Sequence, residues 1–268
     1  GSFFGGIPFP QVTGSNAEVF AEELRLSSRL DGPVQFVAGL YYEDSDTSFT
    51  ELSYWGGDQA LNVFDPTTPL LADTAEFFEL KQKAIFGEIS YDFSDSLSVT
   101  AGIRSFDYEK TDTKDRDGVF FGGPSITQSQ LDDNGTTHKL GLTYKPSDDL
   151  LAYLTWSEGF RLGRKVPTLP NICDADDDGI IDGTNIALSH DQTDPDTLET
   201  FELGTKLTLM DGRAVVNAAV YHSNWEGIPV NVIGTCGLAS VDNAGKAEVQ
   251  GLEMESTVFL TSALRLEL

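Results

Sequence analysis

The sequence contains no long apolar run, and it nowhere approaches the roughly 18–20 consecutive apolar residues that a membrane-spanning helix needs. Basic residues are also scarce, since 17 Lys and Arg stand against 43 Asp and Glu and the formal net charge is −26. Nucleic-acid binding is therefore disfavoured, because Lys and Arg hold the phosphate backbone. The acidity instead favours cations as ligands, or a surface kept soluble by its charge.

Side chains suited to catalysis are few and scattered. The histidines His138, His190 and His222 show no His-x-x-x-His spacing, and Cys173 and Cys236 form no Cys-x-x-Cys pair. Glycine-rich pieces stand in turns rather than before helices, so they predict no phosphate-binding loop. The sequence therefore predicts no enzyme and no required cofactor.

What the chain does have is a repeated alternation of apolar with polar or small residues. Ten such runs can be read: 20–27, 34–42, 85–93, 97–104, 139–144, 152–157, 201–209, 214–221, 246–260 and a last one that reaches Leu268. A strand with one apolar and one wet face, repeated many times, is typical of an outer-membrane β-barrel. The mean hydropathy of −0.19 conceals this pattern, because only every second residue would contact lipid.

The connections between runs alternate in length. The short turns are Asp31-Gly32, Ser94-Asp95, 146–149, Asp211-Gly212 and Thr261-Ser262; the long connections are about 43–79, 108–134, 160–197 and the region around Cys236. Outer-membrane barrels have short periplasmic turns and long extracellular loops, whereas the two ends of a β-sandwich are equivalent. The sequence thus predicts an all-β, antiparallel, up-and-down transmembrane β-barrel, of which this chain supplies about ten strands. The first strand would run from the outside to the periplasm.

Charged residues in mid-strand belong to the wet face of such a barrel, because Arg or Lys facing lipid near the midplane costs roughly 2–4 kcal/mol. Glu253 and Glu255 share one face of a run and are interpreted as lining the lumen, with an acid–base pair as the alternative. Aromatic residues near the run ends are interpreted as a girdle at the membrane boundary: Tyr91, Phe93, Tyr144, Tyr153, Trp156 and Phe160.

Several segments together resemble the barrel of TonB-dependent outer-membrane receptors. They are 18–28 (EVFAEELRLSS), 34–42 (VQFVAGLYY), 84–106, 139–162, 198–220 and 241–255. The resemblance implies a receptor of a Gram-negative outer membrane, with about 22 strands around an N-terminal plug. It also implies energised uptake through the TonB complex. The implied cargo is a ferric siderophore first of all, then haem, cobalamin or an oligosaccharide.

The chain departs from this family pattern in having no plug, no TonB box and too few strands to close the barrel. It also ends at Leu268 within a run, without a terminal aromatic strand. We therefore expect residues 1–268 to form one receptor-like β-barrel domain that is incomplete at both ends. Two rival hypotheses remain at this point: a passive porin or fatty-acid channel, and an extracellular calcium-stabilised β-domain for adhesion.

The sharpest local motif is DADDDGIID at 174–182. Oxygen-bearing residues at alternate positions with a glycine at the bend resemble the calcium loops of EF-hands. By this resemblance the ligands would be the side chains of Asp174, Asp176, Asp178 and Asp182 and the carbonyl of Ile180. The twelfth position is Asn185 rather than a bidentate Glu, which weakens the match. The alternative is an acidic surface loop without metal.

Cys173 precedes this motif, and Cys236 lies in the next long connection. Both are expected outside the cell, and the family resemblance favours a disulfide between them over two free buried thiols. Arg161, Arg164 and Lys165 form a small basic patch at the base of the third long connection. This patch could meet an anionic ferric chelate, but balancing nearby carboxylates is the preferred interpretation.

Overall fold

The structure is a computed structural model that describes residues 10–56, 67, 69–121, 123–166, 169 and 171–268. Ten strands lie in one sheet in the order β1-β2-β3-β4-β5-β6-β9-β10-β11-β12, and β7 pairs with β8 in a small second sheet. Their bounds are β1 Gln11–Ser27, β2 Val34–Tyr54, β3 Leu70–Ser94, β4 Leu97–Asp117, β5 Ser125–Ser147, β6 Leu150–Arg161, β7 Arg164–Lys165, β8 Gln192–Thr193, β9 Asp196–Leu209, β10 Ala214–Ile233, β11 Ala239–Thr261 and β12 Leu264–Glu267. No described helix is long and apolar enough to cross a membrane.

Each of the ten predicted runs is a strand of the large sheet, and sequential strands are neighbours in it apart from the two-residue strands β7 and β8. The pairings of β6 with β9, β9 with β10 and β10 with β11 are antiparallel. The sheet order is linear, with β1 and β12 at its ends, as predicted for part of a larger barrel. The all-β, up-and-down fold is therefore confirmed.

The strands are longer than the runs that predicted them, and two of the predicted long connections are shorter in the structure. The connection predicted at 43–79 is strand up to Tyr54 and again from Leu70, while residues 57–66 lie outside the described residues. The connection predicted at 108–134 narrows to the short stretch between Asp117 and Ser125. The reason is physical: apolar alternation reports only where a strand contacts lipid, but backbone pairing continues wherever the N–H and C=O groups find partners.

The apolar face of the sheet is exposed. Ile85 is 62%, Leu203 54% and Leu252 73% accessible, although each stands in the middle of a long strand. Cross-strand register aligns these residues in rows, for example Leu154 beside Leu203 and Leu203 beside Val220. A face of this kind suits hydrocarbon as its solvent, as expected for a barrel wall.

The opposite face uses aromatic rings to cover glycines on neighbouring strands. A Cβ placed on Gly204 would overlap Cζ of Tyr153, so the ring occupies the space that a side chain would fill. Such rings supply the packing that glycine lacks in a strand. The same arrangement recurs in three further pairs: Phe86 over Gly39, Phe106 over Gly135 and Tyr221 over Gly251.

The chain divides into two compact units. The first consists of Gly1–Glu22, Tyr41–Lys83 and Asp107–Asp133. Its buried residues include Leu71, Tyr108 and Leu131. Gly118 lies beneath this core with φ at +106°, and a Cβ there would stand 2.6 Å from the Leu71 carbonyl oxygen, so only glycine fits without movement.

The second unit consists of Glu23–Leu40, Ala84–Phe106 and Asn134–Leu268. It contains the parts of β1 to β5 next to their short turns, all of β6 to β12 and the third long connection. The site residues predicted from the sequence all lie in this unit.

Candidate functional site

The third long connection folds on a core of its own. Cys173, Ile181 and Ile186 are buried together, and partly buried apolar residues pack against them: Leu169, Leu188, Val232 and Cys236. The strands β7 and β8 pair at its base through Arg164 and Thr193. The loop is therefore a small folded element with a conventional interior, carried at the end of β6.

A disulfide joins this element to the connection between β10 and β11. Cys173 and Cys236 are bonded with a Cα–Cα distance of 5.0 Å and a sequence separation of 63 residues. The bond predicted between two neighbouring long connections is thus present. It anchors the element to β10, because Val232 on that strand already packs against the same core.

The acidic motif forms a tight turn around one carboxylate. Asp174 accepts hydrogen bonds from the backbone N–H groups of Asp178 and Gly179, each at 3.0 Å. Asp182 closes the turn from the other side by accepting the N–H of Ala175 at 3.0 Å. Gly179 has φ at +82°, as the sharp bend requires.

The predicted calcium ligands are only partly brought together. Oxygens of Asp174, Asp176 and Asp182 lie within 4.8 Å of one another. Asp178 lies outside this group, because its Oδ1 accepts the N–H of Ile180 at 2.8 Å. Ile180 itself bridges to Ala187. The arrangement offers three carboxylates to a hard cation, and the full five-residue ligand set stays a prediction.

The basic patch is engaged with carboxylates. Arg161 Nε donates to Asp196 Oδ2 at 2.9 Å, and the guanidinium lies 4.4 Å from the ring centre of Trp225. Lys165 Nζ donates to Asp191 at 2.9 Å and thereby lowers the pKa of that carboxyl group. Arg161 and Lys165 thus pair with carboxylates, whereas Arg164 pairs with Thr193 through its backbone, and the balancing role of the whole patch stays a prediction.

One residue that the sequence did not single out ties the third connection to the sheet. Asn243 accepts the N–H of Asp194 at 2.8 Å and donates to the carbonyl oxygens of Asp194 and Gly227 at 2.9 and 2.6 Å. His190 contributes a second tie through the Val241 carbonyl oxygen at 2.9 Å. An Asn in a polar strand has no distinctive sequence pattern, so the hydrogen bonds of Asn243 to Asp194 and Gly227 could not be predicted from the sequence.

The histidines in the described part of the chain have separate partners. His138 Nδ1 lies 2.7 Å from Glu158, and His222 Nδ1 lies 3.6 Å from Glu248. Both pairs connect neighbouring strands, and neither contains a nucleophile. Glu253 and Glu255 stand opposite Ala219 and Asn217 on β10, on the face away from Leu252.

The wet face also carries an ion pair that spans a strand. Lys139 on β5 bonds Glu88 on β3 at 3.0 Å. The intervening residue on β4 is Gly102, whose missing side chain leaves the path open. Lys139 and Glu88 thus lie on the face opposite the exposed apolar one, as the sequence predicted for charged residues in mid-strand.

Comparison with known proteins identifies relatives. Residues 2–267 match the family described as TonB dependent receptor-like, beta-barrel. The pesticin receptor of Yersinia enterocolitica is 23% identical over 236 residues, which cover 88% of this chain and 30% of that protein. The chain therefore spans about three-tenths of the length of the curated relatives it matches.

Solved structures show the same fold. The ferric yersiniabactin uptake receptor FyuA from Yersinia pestis matches with a TM-score of 0.71 and 16% identity, over 95% of this chain and 34% of the receptor. The alcaligin outer-membrane receptor FauA from Bordetella pertussis matches with a TM-score of 0.59 and 16% identity, over 95% of this chain and 38% of that one.

Proposed function

Because the chain belongs to the TonB-dependent receptor-like β-barrel family, we propose that it is part of a receptor that takes up an iron–siderophore complex with energy delivered through TonB. The match over residues 2–267 is the observation that carries this proposal. The whole receptor's activity would also need the plug and the strands beyond this segment.

The chain is an outer-membrane β-barrel segment of a Gram-negative bacterium, as its family is. Members of the family are receptors and transporters rather than enzymes. The exposed apolar face agrees with this location and argues against the freestanding calcium-stabilised adhesion domain, which would bury such residues in its own core.

An iron–siderophore complex is favoured as cargo by what the relatives bind. The matched structures include receptors named for ferric yersiniabactin and alcaligin and a siderophore receptor, PiuA, from Acinetobacter baumannii. A copper transporter, OprC, shares the fold at a TM-score of 0.63, so the fold by itself does not select the cargo. Haem, cobalamin and oligosaccharides therefore stay as alternative cargoes. The proposed partners are the TonB complex, outer-membrane lipid and the cargo.

The test is uptake of radioactive iron by cells that depend on this receptor. Cells deleted for the complete receptor and supplied with a panel of ferric siderophores should lose uptake of one of them, and the plasmid-borne receptor should restore it. Deleting TonB should abolish the restored uptake. Uptake that continues without TonB would instead support the passive channel, and loss of haem or cobalamin uptake alone would reassign the cargo.

We also propose that the acidic loop of Asp174, Asp176 and Asp182 binds calcium with modest affinity. The support is the convergence of the three carboxylates and the two backbone hydrogen bonds that orient Asp174. Because the loop is also closed by a disulfide, calcium is expected to stiffen the turn rather than to fold it.

Calorimetric titration of the complete receptor with calcium tests this idea. Asp176→Asn should reduce the binding heat strongly, because its carboxylate is in the cluster and exposed. Asp177→Asn is the matched control, since it removes an adjacent charge that is not in the cluster. Equal loss of heat in the two variants, or no heat in the wild type, would contradict a specific site.

A further inference from the structure

The stretch 107–117 of β4 (DYEKTDTKDRD) sorts its charges by face. Successive side chains of a strand point to opposite sides, so even and odd positions belong to different faces. The odd positions carry no cation and four carboxylates: Asp107, Glu109, Asp115 and Asp117. The even positions carry one carboxylate, Asp112, and three cations. These cations are Lys110, Lys114 and Arg116, and together they are called the cationic row.

The cationic row lies on the face of β4 that is turned into the first unit. Tyr108 and Asp112, which share this face, are 3% and 8% exposed, whereas the four carboxylates of the odd positions are exposed. The side chains of the cationic row, in chain order, are 23%, 34% and 38% accessible. The cations are therefore held against the interior of the unit and are still within reach of a ligand.

The cationic row has more positive charge than its carboxylate partners among the described residues neutralise. Lys114 Nζ and a terminal guanidinium nitrogen of Arg116 lie 3.5 and 3.1 Å from the same oxygen of Glu76 on β3. Lys110 Nζ lies 3.6 Å from Asp112. Three cations thus share two carboxylates, which leaves one positive charge in surplus. This surplus contrasts with the formal net charge of −26 of the whole chain, and it favours an anion as a further partner.

Two buried polar atoms of this face have no hydrogen-bond partner in the part of the chain that the structure describes. They are Nε of Arg116 and Oδ1 of Asp112. Buried polar groups are nearly always hydrogen-bonded, so two such atoms beside a surplus charge point to a ligand. An anion that carries its own donors would satisfy both atoms, because its oxygens would accept from Arg116 and a hydroxyl or amide group would donate to Asp112.

Aromatic rings orient the cationic row without cancelling its charge. The ammonium group of Lys110 lies 5.8 Å from the ring centre of Phe78, and the guanidinium group of Arg116 lies 5.3 Å from that of Phe121. Cation–π attraction of this kind holds a cation in place and leaves its hydrogen-bond donors available. Ammonium and guanidinium groups form their strongest hydrogen bonds with ionised oxygens. The row therefore suits a ligand with several anionic oxygens, such as carboxylates or catecholates.

The cationic row also lies near a long-connection end of the sheet. β4 ends at Asp117, one residue beyond Arg116, and β5 begins at Ser125. The long connections of outer-membrane barrels are extracellular, so a ligand that arrives from outside meets this end of the strands first. A positive region at this end attracts anions and gives no such gain to neutral or cationic molecules.

We propose that the cationic row selects ferric chelates of net negative charge, whose carboxylate or catecholate oxygens bond Lys114 and Arg116. This inference rests on the proposed uptake of an iron–siderophore complex, and it adds the charge class of the cargo. Lys110 contributes to the attraction from the other side of Asp112. Neutral hydroxamate chelates and cationic chelates gain nothing from the row.

The experiment is calorimetric titration of the complete receptor in detergent with four chelates. Ferric enterobactin and ferric dicitrate are anionic, ferrichrome is neutral and ferrioxamine B is cationic. The wild type should bind at least one of the anionic chelates and neither of the other two. Lys114→Gln/Arg116→Gln should weaken that binding by about tenfold or more, the factor expected for the loss of a charge-assisted hydrogen bond. The loss should shrink at high salt, because dissolved ions screen the attraction.

Lys81→Gln/Lys83→Gln is the matched control. It removes the same net charge from two exposed positions of β3 that alternate with the buried Gln82, on the face away from Glu76. This variant should bind the anionic chelate as the wild type does. An equal loss in this control would show a general effect of net charge and would overturn the inference, as would undiminished binding by Lys114→Gln/Arg116→Gln.

Lys114→Gln/Arg116→Gln could disturb the packing of β3 on β4, so Glu76→Gln is the second variant. It breaks the same ion pairs and keeps both cations, so the anionic chelate should bind as tightly as before or more tightly. A loss as large as that of Lys114→Gln/Arg116→Gln would show a purely structural network and would overturn the inference. Binding of ferrichrome or ferrioxamine B in place of the anionic chelates would also overturn it and would leave the proposed function standing. Binding of none of the four chelates would count against both.

Discussion

The sheet and the disulfide-linked loop of the second unit place their apolar side chains in opposite environments. The sheet exposes Leu203 at 54% and Leu252 at 73%, whereas the loop buries Ile181 at 2%. The strands leave their apolar side chains outside because lipid serves as their apolar phase. The loop stands in water, so it must gather its few apolar residues into a core and close it covalently.

The two regions are also held together by different forces. Strand pairing satisfies the backbone groups of the sheet through long ladders, of which that between β10 and β11 runs from Ala214–Val258 to Ile233–Ala239. The loop has the two-residue pairing of β7 with β8 and the bridge between Ile180 and Ala187, and side chains such as Asn243 and Asp174 bond further backbone groups of it. Substitutions should therefore damage one region without the other.

The largest effect is expected from removing the disulfide. Cys173→Ala/Cys236→Ala should destabilise the loop by up to about 4 kcal/mol, the value for closing an unfolded chain of 63 residues, which is an upper value because β9 and β10 stay folded between the two cysteines. Limited proteolysis of the complete receptor should show rapid cleavage within 162–195, while heat-modifiable mobility on a denaturing gel, which reports the barrel, stays unchanged. Loss of both together would show that the sheet depends on the loop.

A buried loop residue should come next. Ile181→Ala removes most of a side chain from the small core and should cost about 3 kcal/mol of loop stability. The neighbouring Ile180 is 38% exposed, so Ile180→Ala should cost much less. Protease protection of the loop measures both, and similar losses in the two variants would contradict a packed interior.

A charge placed on the apolar face should then damage the sheet and spare the loop. Leu154→Arg should destabilise the receptor in lipid by about 2 kcal/mol, because a guanidinium would face hydrocarbon. Thr155→Arg puts the same group on the opposite, wet face and should be nearly neutral. Urea titration of the complete receptor in liposomes measures both variants. If Thr155→Arg proved the more damaging, the assignment of the faces would be reversed.

The smallest expected effect is a dependence of the loop's stability on pH. The hydrogen bond from Lys165 lowers the pKa of Asp191, so this pair stabilises the folded loop above the carboxyl group's unfolded pKa. That stabilisation is lost as pH falls through the lowered folded pKa. Amide exchange in β7 and β8 should therefore accelerate in acid, and Lys165→Gln should remove this part of the pH dependence. An unchanged acid response in Lys165→Gln would assign it to other groups.

Some of the predicted features depend on a single strand, whereas others depend on pairing with a neighbouring strand. Alternation along 85–93 or 201–209 depends on one strand and its two environments, so it was readable without any partner. Strand ends at Tyr54 and Asp117 depend on pairing with a neighbour in water, where hydropathy no longer alternates. The sequence predicted that the acidic motif bends at its glycine, but it did not predict which oxygens converge. Asp178 is outside the converging group, and its carboxylate accepts a backbone N–H.

By itself the sequence determined the ten strands of the large sheet, their order along it and which face of each is apolar, because these follow from a period of two and from turn length. It did not predict the short strands β7 and β8. Only the tertiary structure decided which residues meet across strands. It brought Arg161 onto Asp196 and Trp225, Asn243 onto Asp194, and Glu158 beside Glu199. Such meetings depend on register between strands far apart in the chain, and no local pattern records that register.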